Sequence, residues 1–343
     1  MSDWRTDPAW PDVDVVMPIR NEADHLGAAL AAVQSQQYPG IVRVFMAVGP
    51  STDGTEDVAL RLATSDDRLT VIANPSGKTP AALNSAIRAG AAPVVVRVDG
   101  HSQLSNQYIR RAIETLRRTR AGNVGGMQVP LPTTPFEEAV TAATSSWLGT
   151  GGATYRVGGA EASVDTVYLG NFDRAAIESV GLFDEALIRN QDYELNIRLR
   201  AAGYDVVFDP ELSVSYTPRG SWTLLAKQYF EYGHWKTAVM RRHPQATRFR
   251  QLVPPVVLTC AVGGGALGIR RPALLMAPLG YVSAVLLAAR GSSRPLLTAL
   301  CISTMHAFWV MGLTVGIVYS PERRPFKSRV GVRVRRVASQ FDS

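Results

Sequence analysis

An aspartate, a glycine and a histidine follow directly on a β-branched run at residues 94–102, VVVRVDGHS. Four valines in five positions, interrupted by Arg97, predict a short strand buried on both faces, as in a parallel sheet. Asp99, Gly100 and His101 then stand where that strand ends, and in open α/β sheets ligands bind outside the carboxyl ends of strands. Carboxylate and imidazole together suit a divalent cation such as Mn or Zn, and a glycine between them lets the backbone approach a ligand. The chemistry this stretch would support is a cation and diphosphate site. The plainer reading of the same nine residues is a strand ending in an Asp-Gly turn.

Such a site needs a sheet whose strand ends converge. Residues 14–19 (DVVMPI) read as a first strand, ended by Pro18 and the polar loop Arg20, Asn21, Glu22; from Asp24 the pattern LGAALAAVQSQ predicts a helix that stops near 38–40. A second strand at 42–48 leads through GPSTDGT (49–55) into a helix from Glu56. A third strand covers 70–73, and a loop at 74–80 holding Lys78 precedes a helix at 81–90. The 94–98 strand is then the fourth in a βαβαβαβ alternation, which means a mostly parallel sheet covered by helices. A further helix is predicted at 107–120, and the Gly-, Thr-, Ser- and Pro-rich stretch 122–165 reads as strands and loops shaping an acceptor pocket. The absence of a GxGxxG fingerprint after the first strand, and of any Walker sequence, disfavours a dinucleotide dehydrogenase and a P-loop NTPase.

At 343 residues there is room for one large domain or two of ordinary size. The net charge of +7 is unevenly placed: residues 251–343 hold 11 Lys and Arg against 2 Asp and Glu, leaving 25 basic and 27 acidic residues before them. A near-neutral domain with a basic end facing a membrane is the pattern, and nucleic acid is not an expected partner. Cys260 and Cys301 form neither a disulfide framework nor a zinc spacing. The acidic start, without an apolar h-region, predicts no signal peptide and a catalytic portion that stays in the cytoplasm.

Six separated motifs, MPIRNE at 17–22, STDGT at 51–55, KTPAALNSAI at 78–87, RVDGH at 97–101, YLGNFDRAAIESVGLFDE at 168–185 and RNQDYELNIRLRAAGY at 189–204, resemble family 2 glycosyltransferases. Within that family the chain is similar to membrane-attached enzymes of exopolysaccharide assembly, of the succinoglycan glucosyltransferase type, over residues 12–245. The resemblance implies an α/β fold: a GT-A, Rossmann-like nucleotide-sugar-binding domain followed by C-terminal transmembrane helices. It also implies a nucleotide-sugar donor, a divalent cation and inversion by one displacement. Asp99 and His101 match the family's Asp-x-Asp motif with His in the last place, assigning Asp99 to the nucleotide and the metal and His101 to the metal, with Mn preferred over Mg because imidazole suits Mg poorly. Asp192 matches the general base, in a loop just before a helix; the alternatives are that Asp192 only caps that helix, or that Glu194 is the base. Pro18, Arg20, Asn21 and Glu22 match the donor-nucleoside loop, with Glu22 nearest base or ribose. Asp53 and Lys78 fall on the nucleotide side, and Gly170 and Asn171 on the acceptor side. Where the family has an acid that pairs with uracil this chain has Val48, so a uridine preference is not implied.

Residues 219–243 mix Trp222, Tyr229, Phe230, Tyr232 and Trp235 with Lys227, Lys236, Arg241 and Arg242. Such a mixture suits a membrane interface, or a helix packed on the domain's own core. Processive relatives carry Gln-x-x-Arg-Trp here; Gln228 is followed by Tyr-Phe-Glu-Tyr, which favours single-sugar transfer. Of three apolar runs, 272–289 and 296–319 are expected to span and 252–269 to be shallow or re-entrant, since seven basic residues between 323 and 336 then stay inside. His306 lies in the last run, either as a functional intramembrane group or as a satisfied buried histidine. The expected organisation is a glycosyltransferase domain at 1–218, interfacial amphipathic helices at 219–251, a transmembrane region at 252–320 and a basic cytoplasmic tail at 321–343. The expected protein is a multi-pass cell-membrane enzyme, touching membrane lipids, that moves one sugar to a polyprenyl-linked or growing-glycan acceptor in cell-envelope or exopolysaccharide synthesis. The alternatives are a processive synthase and a catalytically silent membrane scaffold.

Overall fold

The computed structural model describes residues 3–246 and 249–319, so the basic 321–343 segment lies outside the described residues. In chain order the first half comprises β1 (Val13–Ile19), α1 (Leu26–Gln34), β2 (Val42–Val48), α2 (Thr55–Thr64), β3 (Leu69–Ala73), α3 (Thr79–Ala89), β4 (Val94–Arg97), β5 (Gln103–Leu104) and α4 (Tyr108–Thr119). After these come β6 (Asn123–Pro130), α5 (Pro135–Ser145), α6 (Trp147–Thr150), α7 (Thr154–Val157), β7 (Ala162–Ser163), β8 (Tyr168–Asp173), α8 (Arg174–Ser179), α9 (Gln191–Ala201) and β9 (Val206–Tyr216). The last four helices are α10 (Trp222–Arg242), α11 (Phe249–Gly268), α12 (Met276–Ala289) and α13 (Pro295–Val318).

The nine strands form one mixed sheet in the order β3-β2-β1-β4-β8-β6-β9-β5, with β7 paired to β9. The first four are parallel, as the βα alternation predicts, and β8 then runs antiparallel to β4. The valine run is buried on both faces because helices cover both: Val94, Val96 and Val98 pack in the core under α1 and α4, whereas Val95 points into the core under α3, α8 and α9. Period-2 alternation in a continuous apolar run thus feeds two cores at once.

Two expectations fail here. The 122–165 stretch is not strands and loops throughout, because α5, α6 and α7 follow β6. α5 forms where the composition argued for loop because Thr134 caps it, accepting from the Glu137 N–H, and Pro135 fits its first turn. Asp192 lies inside the first turn of α9 rather than in the loop before it; Asn190 takes the cap position at φ 62°, a left-handed conformation that asparagine tolerates.

Pro272–Ala289 and Pro295–Val318 are long and apolar enough to cross a membrane, the same two runs the sequence favoured. Their packing ties them to the elements around the sheet. α10 lies along α13, and Gly312 and Gly316 of α13 sit against the Phe230 and His234 backbone, with Gly233 of α10 against Trp309. Ala139, Val140 and Ala143 of α5 and Leu225 of α10 share one buried cluster with Ile302 and Met305 of α13.

Candidate active site

The carboxyl ends of β1 to β4 bring the predicted residues to one edge of the sheet. Beyond β1, Asn21 adopts φ 52° and its side chain accepts from the Thr52 N–H at 2.9 Å, while its own N–H donates to Ser51 Oγ at 3.1 Å. Asp53 accepts from the Ala23 N–H at 3.1 Å, and the Glu22 N–H donates to Thr55 Oγ1 at 2.8 Å. Asp53 therefore staples two loops together, and its bonds from Thr55 and Ala23 lower its pKa. Arg20 reaches the Pro50 carbonyl with Nε at 3.3 Å and the Gly77 carbonyl with Nη1 at 3.4 Å, which ties the loop after Pro18 to the one holding Lys78. Lys78 Nζ donates to the Glu185 carbonyl at 3.4 Å. Val48 is buried in the core at the end of β2.

At the end of β4, Gly100 packs against the first loop: a Cβ there would lie 3.0 Å from Glu22 Cγ and 3.1 Å from Ile19 Cδ1. That close approach sets His101 beside Glu22, with Nδ1 and Oε1 at 2.8 Å. The hydrogen bond to Glu22 raises the His101 pKa. The imidazole is 45 % exposed at its side chain. A carboxylate on one ring nitrogen fixes the imidazole so that the other nitrogen faces outward, as around metal-binding histidines.

Arg97 joins the end of β4 to the start of α9. Its side chain is only 7 % exposed, and it donates to both oxygens of Asp99, from Nε to Oδ1 at 2.9 Å and from Nη2 to Oδ2 at 3.3 Å, and to Asp192 from Nη1. Burial opposes its charge, and the Asp192 and Asp99 carboxylates outweigh that, so its pKa stands above the ordinary arginine value. Asp192 keeps a 42 % exposed side chain, yet the protein packed around it raises its pKa, against the pull of Arg97. In the sequence the signal for Arg97 is a single cation inside a buried apolar strand, which requires partners.

Glu194, the competing base, is committed elsewhere: it is buried, pairs with Arg198 at 2.7 Å and meets His243 Nε2 at 2.9 Å. Asn171 also departs from expectation. It is buried within the sheet, donating to the Val124 carbonyl at 2.8 Å and Tyr108 Oη at 3.2 Å, and a Cβ on Gly170 would meet Asn123 Oδ1 at 2.6 Å. Both residues are buried because β8 is central in the sheet, between β4 and β6. His306 is satisfied, donating from Nε2 to the Leu148 carbonyl at 2.9 Å and meeting Tyr281 Oη at 3.2 Å.

Among the described residues no group of three or more His, Cys, Asp or Glu side chains converges to form a metal cage. The donors present at the end of β4, one carboxylate and one oriented imidazole, fit a cation that takes its other ligands from a diphosphate and water.

A model of the family described as Glycosyl transferase family 2 matches residues 14–153. The succinoglycan biosynthesis protein ExoA of Rhizobium meliloti (strain 1021) is 31% identical over 306 residues, spanning 87% of this chain and 92% of its own. The glycosyltransferase AglE of Haloferax volcanii is 28% identical over 224 residues, 64% of this chain and 71% of its own. Among solved structures, the mannosyltransferase PcManGT of Pyrobaculum calidifontis, in complex with GDP-Man and Mn2+, is similar with a TM-score of 0.58 over 90% of this chain and 88% of that one, at 18% identity. At that identity the likeness is one of fold.

Proposed function

The chain belongs to glycosyl transferase family 2, with the GT-A fold and a place in polysaccharide or glycan biosynthesis, and from that premise we propose a metal-dependent, inverting, single-sugar transferase. It acts at the cytoplasmic face of the cell membrane on a lipid-linked or growing-glycan acceptor. The observation that supports this reading is the Arg97 bridge, one guanidinium that donates to both Asp99 and Asp192.

Inversion in one displacement needs an acceptor oxygen to attack the anomeric carbon from the side opposite the leaving diphosphate while a carboxylate removes its proton. Asp192 is that base, accepting the proton on the oxygen not engaged by Arg97. Asp99 and His101 hold the donor side. A cation bound there, Mn in preference to Mg, would neutralise charge gathering on the leaving diphosphate. Glu22 acts through His101, orienting its ring. Pro18, Arg20, Asp53 and Lys78 shape the nucleoside side of the cleft, Asp53 by pinning the loops. PcManGT was solved with GDP-Man and Mn2+, which supports a divalent cation and a nucleotide-sugar donor. The Val48 core position supports no preference for uridine. Two helices of spanning length support multi-pass attachment through 252–320, with 1–218 as the catalytic domain. Attachment would concentrate the active site near a membrane-borne acceptor.

The test is turnover of nucleotide sugars by the detergent-solubilised full chain with Mn and an acceptor membrane extract, in wild type and Asp192→Asn. The variant is expected to keep nucleoside diphosphate binding in a thermal-shift assay and to lose about a hundredfold or more in transfer. Normal transfer by Asp192→Asn removes the base assignment. Absence of turnover with every donor in wild type, together with intact nucleotide binding in Asp99→Ala, would favour the silent scaffold.

A further inference from the structure

The segment 147–157 runs from the apolar helices to Tyr168 at the start of β8. At its start Leu148 accepts the hydrogen bond from His306 on α13, and Trp147 is 68% exposed beside it. Gly151 and Gly152, at φ 64° and 71°, turn the chain inward. At its end Tyr155 of α7 stacks on Tyr168 with ring centroids 6.4 Å apart, and Tyr168 opens β8, which pairs with the strand that leads to Asp99. Arg156 follows, over the Tyr155 ring.

Its surroundings differ from those of the other inward-facing arginines. Arg97, Arg111, Arg174 and Arg198 each pair with a carboxylate. Among the described residues no carboxylate lies within ion-pairing distance of Arg156. Instead its guanidinium is 5.4 Å from the Tyr155 ring centroid, and Nη1 is 3.5 Å from Tyr216 Oη. Ring faces and hydroxyls fix a guanidinium in place and leave its charge unneutralised. A partly buried cation of this kind is completed by an anion. On the far side of the segment, α12 and α13 present Met276, Leu279, Leu287, Leu296 and Leu300, all exposed. Anion-binding charge and a large apolar surface thus meet at the two ends of one short stretch.

Resting on the lipid-linked acceptor reading above, we propose that Arg156 and its tyrosines bind the phosphate or diphosphate head of the acceptor, whose hydrocarbon tail leaves along α12 and α13. The head group is held beside the cleft, where the attached sugar's hydroxyl faces Asp192. Tyr155 and Tyr168 separate this anion from the one held at Asp99 and His101, so donor and acceptor phosphates occupy distinct places.

The experiment measures binding of farnesyl diphosphate and of inorganic pyrophosphate to the full chain in detergent micelles with EDTA present, which removes cation-dependent binding at the donor side. Wild type is compared with Arg156→Met, which keeps an apolar stem against Tyr155, and with Arg156→Lys, which keeps a cation. Farnesyl diphosphate binding is expected to weaken about tenfold or more in Arg156→Met and to be largely retained in Arg156→Lys. Mn-dependent GDP and UDP binding is expected to be equal in all three proteins. Equal farnesyl diphosphate binding in wild type and Arg156→Met would overturn the role of Arg156 and leave the lipid-linked acceptor standing. Pyrophosphate binding as tight as that of farnesyl diphosphate would make this a site for free phosphate and overturn the lipid part. No farnesyl diphosphate binding by wild type would sink the acceptor reading and this inference with it.

Discussion

Arg97 holds together two carboxylates that would otherwise repel, Asp99 just beyond β4 and Asp192 in the first turn of α9. A guanidinium can bridge them because its donors diverge in a plane; an ammonium offers a point charge. Arg97→Lys is therefore expected to lower kcat about a hundredfold, the size of effect seen when one preorganised donor is removed, with a smaller change in the donor KM. Steady-state kinetics reads this split, and an unchanged kcat would make Arg97 a structural ion-pair partner only. Two further carboxylates govern stability. Burial pushes the pKa values of Asp209 and Glu194 up, but Arg111 and Thr115 outweigh it at Asp209, and Arg198 and His243 at Glu194, so both fold with lowered values. A lowered folded value means stability that is present above the unfolded pKa of about 4 and is lost as pH falls through the folded one. The contribution of these two carboxylates to the unfolding temperature should be constant above about pH 5 and fall away below about pH 4. Asp209→Asn should lower stability by about 3 kcal/mol and blunt that drop, read by calorimetry across pH. The position of Asp99 and His101 at a strand end was legible in the sequence, because a β-branched run marks where a strand must end. The sequence hid Arg97, whose role depends on a contact made 95 residues away in α9.

At the scale of elements, helix-on-helix contact between α10 and α13 is set by small residues. Gly312 and Gly316 stand one turn apart on α13, and a Cβ on Gly316 would lie 2.6 Å from the His234 carbonyl oxygen. Spacing of this kind lets two backbones approach closely, in lipid or out of it. Gly312→Val should force α13 away from α10 and destabilise the protein by about 1–3 kcal/mol or more. Detergent-resistant thermal unfolding checks it, and a substitution without effect would mean that the two helices separate freely. The first four βα units were legible because period-2 strands and amphipathic helices alternate with little interruption. α5 was not: its composition argues for loop, and only the threonine-proline start with Glu137 marks a capped helix. α10 packs against the rest of the chain, as one of the two readings of its sequence had it, with Leu225, Tyr229, Lys236 and Val239 buried.

At the scale of the whole molecule, the apolar helices are part of the catalytic domain's packing, beyond any role as an anchor. His306 bonds the chain at Leu148, Arg294 pairs with Glu138 on α5 at 3.1 Å, and one buried cluster draws residues from α5, α10, α12 and α13. The hydropathy pattern alone reads as a soluble domain with a detachable tail, because hydropathy records what leaves water and not what it packs against. Removal of residues 247–343 would expose Ala139, Val140, Ala143, Leu225 and Tyr229, an apolar face built around Ile302 and Met305. Uncovering a contiguous apolar surface promotes association. The 1–246 fragment is therefore expected to aggregate or to require detergent, and to unfold at a lower temperature than the full chain, measured by size-exclusion chromatography and thermal melting. A monomeric, detergent-free 1–246 fragment with an unchanged melting temperature would show that the helices are a separable anchor. The expected outcome instead means that the surface meeting the apolar helices and the segment leading to Arg156 are held by the same contacts, so loosening α13 should disturb acceptor binding before it disturbs the nucleotide loops at the far end of the sheet.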